Sequence, residues 1–518
     1  MSTATDSQRV LGLLGAAVGG VALQLAPTLS HAQKLRLDLS METQFIGTSN
    51  AAQVSGPDAP GDLLLDLHPK MRLKTQGAGL QLDLTLGMIA RSYAKRTLPN
   101  RAEPELDLRT RAELVEGWVT LEGSANITSA ANNPFTAQAD SRTDLRANSF
   151  RQSRGTITPR LERDLSPEWA LRASLGHAWQ RNDDPAAVGG AGQTTHTEDS
   201  VLRLERKPVP LGLYAELRRQ RQENEAALPD GRVLSIDALR VGASYRVNPQ
   251  LIAGLAVGHE RSAYLSNDDQ DSIVGLNVEW LPTDRSFLRG TVEKRFFGPA
   301  YDLSLSHRSP FLALYGSLSR QPGVAGSQIG ALGAGGNVAS LLDSLLTTRI
   351  PNPVERAEAV NRLISERGLP TSLSQGSEVI DQTPQLVRNG TLSLVMLGVR
   401  HSLAFGWFSR SAVELRREGE LSLGLSQNDF RQRGGSVLFS RRLAPTMTLT
   451  LALERIRTDG LAAQAGDYLR QWKAKADLSV SLGPRTQASF GLGRNLVRGN
   501  RAGDQQETRA HIGLLQNF

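Results

Sequence analysis

Eight histidines, 52 carboxylates and no cysteine set the chemistry open to this chain. His259-Glu260 opens the zinc-hydrolase pattern HExxH, but Ala263 stands where the second histidine is needed. No GxSxG nucleophile elbow occurs. His68, His307 and His511 fall on strand-like segments, where a serine and an acid from neighbouring strands would be needed to complete a barrel-embedded lipid hydrolase or acyltransferase. Lone strand histidines usually line a polar lumen, so no catalytic residue is assigned and the chain is not read as an enzyme. Asn267-Asp268-Asp269-Gln270-Asp271 offers several carboxylates in an expected outer loop, yet lacks the glycine and distal glutamate of a calcium loop and reads as a solvated turn. Gly333-Ala334-Gly335-Gly336 and Gly491-Leu492-Gly493 are glycine fingerprints without a strand–helix unit. No cofactor or metal site is expected.

What remains is charge laid out with a period of two. In strand conformation one face carries Arg36, Lys70, Arg72, Lys74, Arg203, Arg218, Arg240, Arg289, Arg295, Lys473, Lys475 and Arg509. The same face carries Asp38, Asp66, Asp83, Glu205, Glu216, Glu279, Glu293, Asp302, Glu454 and Asp477. Apolar residues occupy the opposite face: Leu35, Leu37, Leu39 and Met41, then Leu63, Leu65, Leu67, Met71 and Leu73, then Leu80, Leu82, Leu84, Leu86 and Met88, and later Trp472, Ala474, Ala476, Leu478 and Val480. Opposed rows of charge either polarise a water-filled pore or pair across neighbouring strands. Pairing is expected for most, with a modest basic surplus that weakly favours anionic solutes.

Elements apolar on one side only must place that side in lipid or in a core. Each segment has about the length of a tilted membrane strand, and past residue 32 no apolar run is long enough for a membrane helix. A sheet in lipid must close so that no edge amide is stranded. Tight proline and glycine turns at Gln76–Gly79, Ser166-Pro167, Pro208–Pro210, Asn248-Pro249, Pro282-Thr283, Ala444-Pro445 and Gly483-Pro484 alternate with longer polar connections. These longer ones fall near 47–60, 91–103, 129–149, 182–197, 222–231, 263–271, 417–429, 459–467 and 498–505. The alternation is that of periplasmic turns and extracellular loops. The expected fold is therefore all-β, a transmembrane antiparallel up-and-down barrel of about 22 strands (range 18–22), with 104–127 and 296–316 the hardest stretches to divide.

Residues 322–388 break the pattern. Asn337–Leu346 reads as a short amphipathic helix, and Pro353 opens a second that Gly368 stops. Strand parity sends this helical insertion out on the extracellular side, from where it sits over the mouth, folds into the lumen as a constriction, or decorates the surface with its apolar face packed on neighbouring loops.

At the N-terminus, Arg9 precedes an apolar stretch from Val10 to Ala26, and Ser30 and Ala32 form a small-residue cleavage site. Residues 1–32 are read as a signal peptide, with an uncleaved anchor as the alternative, and 33–518 as the barrel. No plug precedes the first strand, so a TonB-dependent transporter is not expected. The chain ends on Phe518, the aromatic position that the barrel-insertion machinery reads. Without cysteine there is neither lipid attachment nor a disulfide framework. The net charge of +7, with arginine well ahead of lysine, would suggest nucleic acid for a soluble protein. For an exported one it suggests lipid phosphates, lipopolysaccharide or acidic polysaccharide. Expected partners are outer-membrane lipid, lipopolysaccharide, the insertion machinery and exopolysaccharide or its export machinery, with no nucleic acid and a monomeric state.

Two stretches carry a resemblance. Arg295-Phe296-Phe297-Gly298-Pro299-Ala300-Tyr301 with Ser304–Arg308 is the first. The second is Arg349-Ile350-Pro351-Asn352-Pro353-Val354-Glu355-Arg356, leading through Leu369-Pro370 to Leu397-Gly398-Val399-Arg400-His401. Both resemble the outer-membrane β-barrel family associated with PEP-CTERM and exosortase systems, which is similar in length and layout. The resemblance implies a role in envelope or matrix assembly beside exopolysaccharide and protein-sorting functions, and brings no functional residues. The leading expectation is a conduit or assembly component for exopolysaccharide or sorted surface proteins. The alternatives are a surface protein that binds matrix polymer with its lumen shut, and the hydrolase above.

Overall fold

A strand that is apolar on one face only needs lipid on that face and water or protein on the other, and 22 such strands share one sheet here. The computed structural model describes residues 34–518 except 57, 78, 132, 138–148, 184–192, 225–233, 265–266, 324–336, 371–372, 374–383 and 421–428. The signal-peptide reading and the glycines at 333–336 lie outside the described residues. In chain order the strands are β1 (Lys34–Thr48), β2 (Asp62–Gln76), β3 (Leu80–Tyr93), β4 (Arg101–Val115), β5 (Val119–Ala131), β6 (Ser149–Asp164), β7 (Trp169–Asp183) and β8 (Gln193–Arg206). There follow β9 (Leu211–Asn224), β10 (Leu234–Asn248), β11 (Leu251–Tyr264), β12 (Asn267–Thr283), β13 (Ser286–Arg295), β14 (Gly298–Arg308) and β15 (Leu312–Gly323). The last are β16 (Gln385–Leu397), β17 (His401–Glu414), β18 (Phe430–Ala444), β19 (Met447–Gly460), β20 (Tyr468–Ser481), β21 (Thr486–Gly499) and β22 (Gln505–Asn517).

Each strand pairs antiparallel with the next, and β22 returns to β1 from Thr48↔Arg509 to Ser40↔Asn517. The Phe518 amide adds one more bond, to the Leu39 carbonyl at 2.9 Å. The barrel is closed, which leaves no edge amides facing hydrocarbon. Its outer face exposes residues that water would not tolerate in such density, Leu255 (62%), Leu492 (65%) and Ile512 (57%) among them. The chain is an integral outer-membrane β-barrel of 22 strands.

The two ends differ as turn chemistry requires. At one end the connections are short, such as 116–118 with Gly117 at φ +69, 249–250 and 445–446. The long ones lie at the other. Two expectations need correction. The acidic run at 267–271 is not a loop but the start of β12, because ion pairs on both faces let it continue as strand. Arg261 on β11 takes Asp268 at 2.6 Å, and Arg417 reaches Asp269 and Asp271 at 3.1 and 3.2 Å. Pro282-Thr283 likewise belongs to β12, where a register irregularity accommodates the proline, and the turn follows at 284–285.

The insertion carries helices α1 (Val338–Leu346) and α2 (Pro353–Arg367). The Asn337 side chain caps α1 by accepting from the Ala339 amide at 2.9 Å. Gly368 (φ +59) ends α2 where an added Cβ would meet Thr450 Oγ1 at 2.6 Å. Although β15 leaves and β16 returns at the extracellular end, the helices pack near the periplasmic end. Val338, Leu341, Leu342, Leu345 and Leu346 bury against Ala313, Val395 and Ala404. These wall residues face inward: on β17, Ala404 and its even-numbered neighbours are buried, while Trp407 on the other face is 43% exposed. Each fully buried leucine contributes roughly 1.5–3 kcal/mol over exposure to lumenal water. Both helices lie inside the lumen, along the wall β14–β19.

Candidate functional site in the lumen

Register settles which side chains line the lumen. Because His511 opposes Ile46, Lys473 opposes Glu454 and Arg240 opposes Glu216, alternation from these rows puts Arg36, Lys70, Arg72, Lys74, Arg240, Arg289, Arg295, Lys473, Lys475, Arg509, Glu293 and Asp477 on the inner face. Most of the cations are held by carboxylates. Arg72 binds Asp83 with two hydrogen bonds at 2.9 and 2.7 Å, and Lys74 approaches the same carboxylate at 3.4 Å. Arg240 makes a two-pronged contact with Glu293 at 2.8 and 3.0 Å and meets Glu216 at 3.5 Å. Arg36 pairs with Asp38 (2.9 Å), Lys70 with Glu105 (3.8 Å), Arg289 with Glu279 (3.4 Å) and Lys473 with Glu454 (3.6 Å). Arg295 pairs with Glu260, which is fully buried and also accepts from the Phe296 amide at 2.9 Å. Pairing across strands is thus the main use of the lumenal charge.

At the seam between β22 and β1 these groups line a cleft of about 480 Å³. Glu42, His68, Lys70, Lys475, Asp477, Glu507, Arg509 and His511 converge there with the neutral donors and acceptors Gln44, Ser489 and Asn495. His68 Nε2 lies 2.8 Å from Glu105, and Arg91 closes one wall through paired contacts of 2.8 and 2.6 Å with Asp66. Such a cleft suits a hydrated, hydroxyl-rich or charged solute better than an apolar one.

The three strand histidines assemble no catalytic triad among the described residues. His68 meets Glu105 and Glu42, and His511 Nε2 lies 3.6 Å from Asp477. His307 is on the outer face, where its Nδ1 is 2.8 Å from Ser286 Oγ without a carboxylate behind it. No group of three potential metal ligands occurs among the described residues.

Composition gave no sign of the apolar packing at the extracellular mouth. Strand β5 leaves β4 after Ile127 but stays paired with β6 to Ala131↔Ser149. Beyond it Phe135 is buried among the inner-face residues Val387, Ala412 and Phe430 of β16–β18, about half-way round the ring, with Arg501 over its ring. Ala137 packs on Leu469 and Val497. One aromatic in a polar loop carries no periodicity, and only its burial marks it. A second cluster joins Tyr264, Phe296, Phe297, Leu386 and Leu415 at the same end.

No family model matches the sequence, and no curated protein does. Among solved structures the chain is similar to the apoprotein form of the FrpB iron transporter from Neisseria meningitidis, with 7% identity and a TM-score of 0.48 over 93% of this chain and 81% of that one. It is also similar to the siderophore receptor PiuA from Acinetobacter baumannii (10% identity, TM-score 0.45, 93% and 82% coverage). A third similarity is to the siderophore receptor PirA from Pseudomonas aeruginosa (8% identity, TM-score 0.41, 93% and 80% coverage).

Proposed function

We propose that this barrel is a gated conduit for a hydrated, polar cargo, with exopolysaccharide or a sorted surface protein as the cargo class. The carrying observation is the helical insertion, seated inside a 22-strand lumen and tied to the barrel floor by side-chain hydrogen bonds. A barrel of this size encloses far more space than its own wall side chains fill. An insertion that leaves at one end and docks at the other is placed to govern passage. What supports this cargo class is the polar lumen, together with the resemblance to barrels of PEP-CTERM and exosortase systems. Conductance in planar bilayers tests the reading, comparing the intact protein with a variant lacking residues 325–384. Low conductance that rises steeply on deletion is the expected result. Silence of both, with insertion verified, would end the conduit reading.

A second reading has its own observation. Phe135 and the aromatic cluster pack against inner-face residues at the outer mouth, which favours a surface protein whose loops bind matrix polymer. That reading expects retention of acidic polysaccharide by intact cells without any conductance.

A further inference from the structure

The outer face of the barrel should be apolar through the membrane, and near the extracellular ends of four consecutive strands it is not. Arg433 on β18 is directly opposite Arg457 on β19, Arg457 is opposite Arg470 on β20, and Arg470 is opposite Arg498 on β21. The sequence neighbours Gln432, Thr458, Gln471 and Val497 are buried on the lumenal side at 0–1% exposure, so the four arginines face outward. At the usual strand spacing the row is about 14 Å long. Like charges directly opposed across strands destabilise a sheet, and arginine on a lipid-facing surface is unfavourable as well. Only Arg457 has a carboxylate partner among the described residues, Asp459 at 2.9 Å.

The depth of the row suggests what relieves it. Trp472, over which Arg455 lies 4.6 Å from the ring centroid, is two residues nearer the membrane centre than Arg470. That separation is about 7 Å along the strand, which places the row just outside an interfacial tryptophan. Beneath it on the same face are the exposed Leu453, Leu492 and Phe490. A ligand for this surface needs phosphates at headgroup depth and acyl chains below them. Guanidinium groups bind phosphate through paired hydrogen bonds.

We infer that Arg433, Arg457, Arg470 and Arg498 form a specific site for the phosphates of the outer-leaflet glycolipid, lipopolysaccharide. The inference rests on the outer-membrane location alone and is independent of what the lumen carries. It is tested by titrating the full-length barrel in detergent micelles with bisphosphorylated lipid A, and with the same lipid stripped of phosphate, reading bound lipid by native mass spectrometry. Wild type should retain the phosphorylated lipid, and the R433Q/R457Q/R470Q/R498Q variant should lose about tenfold or more in affinity, as should wild type toward the stripped lipid. The R109Q/R111Q variant is altered on β4 at lumenal positions, Arg109 standing opposite the lumenal Asp83, and should bind as wild type. Heat-modifiable gel mobility verifies folding, and the single variants R470Q and R498Q, each several-fold weaker, replace the quadruple variant if it does not fold. Equal binding by wild type and folded row variants overturns the site. Full competition by millimolar inorganic phosphate overturns the glycolipid as its ligand.

Discussion

Arg308, at the periplasmic foot of β14, donates to the Ser344 carbonyl of α1 at 3.1 Å. The chain leaves the barrel wall at the opposite end, so this contact is made only because α1 lies inside the lumen. Thr448 Oγ1 donates to the Glu366 carbonyl at 3.0 Å, Arg442 pairs with Glu366 at 2.9 Å, and Arg367 reaches the Val399 carbonyl of the β16–β17 turn at 2.9 Å. The floor of the barrel and the helices are one hydrogen-bonded unit.

Leu342→Ala should loosen the insertion and leave the barrel intact. The side chain is fully buried, and its truncation costs about 2–5 kcal/mol where the surroundings collapse poorly. The strand ladders do not depend on it. Trypsin should therefore cut faster after Arg349 and Arg356, while the urea midpoint of the barrel itself stays put. An unchanged cleavage rate would mean that α1 is held chiefly by its polar ties.

Glu260 and Arg295 make a sharper test of lumenal pairing. Glu260 has no exposed side-chain surface and Arg295 only 12%. Removing Arg295 alone strands a buried carboxylate and should destabilise by about 3–5 kcal/mol. The double variant E260Q/R295M should recover most of that loss, since no unpaired charge is left. Urea titration of wild type, both single variants and the double variant closes the cycle; additive losses would show that the two groups are not coupled.

Much of this was legible in the sequence, for a physical reason. Strand faces alternate with a period of two and lipid tolerates one kind of face, so residues such as Arg240 and Lys473 could be assigned inward from spacing alone. The helices were equally plain, with Asn337 and Gly368 as their start and stop. Whether the insertion entered the lumen was not legible, because its docking surface is assembled from Ala313, Val395 and Ala404 on three different strands. Small residues there read as ordinary lumenal filler until helices are packed on them. The acidic run at 267–271 misled for the opposite reason: its partners Arg261 and Arg417 are supplied by other segments. The arginine row escaped notice because opposition depends on the register of four strands.

Asp62 gives a pH dependence. Strand β2 runs for 15 residues, more than the roughly 9–11 a tilted strand needs to cross, so its first residue sits at the extracellular rim outside the bilayer. Burial pushes its carboxyl up, but hydrogen bonds from the Lys95 backbone, from the Thr97 side chain and from the Leu63 and Thr97 amides outweigh that and hold it below the usual carboxylate value. A lowered folded value means that the tether is at full strength above the unfolded value, near 4, and is lost as pH falls through the folded one. Hydrogen exchange at Lys95 and Thr97 should stay slow from pH 7 down to about 4, after correction for intrinsic rates, and quicken only below. Asp62→Asn should remove the pH step and raise exchange at all pH values.

Phe135 tests whether the packing at the extracellular mouth controls passage. Its ring is 1% exposed in a nest made by inner-face residues of β16–β18, whereas the segment bearing it descends from β5. Phe135→Ala removes the anchor at a cost of about 3–5 kcal/mol, of the order needed to invert a two-state equilibrium from mostly docked to mostly free. If the segment opens in normal function, the intact barrel should flicker between low and high conductance, and Phe135→Ala should lengthen the high-conductance dwell without changing its amplitude. Combined with removal of residues 325–384, the substitution should give a pore that no longer flickers. A conductance unaffected by Phe135→Ala in the deletion background would mean that the loop packs over the mouth without sealing it, and control of passage would then reside in the helices alone.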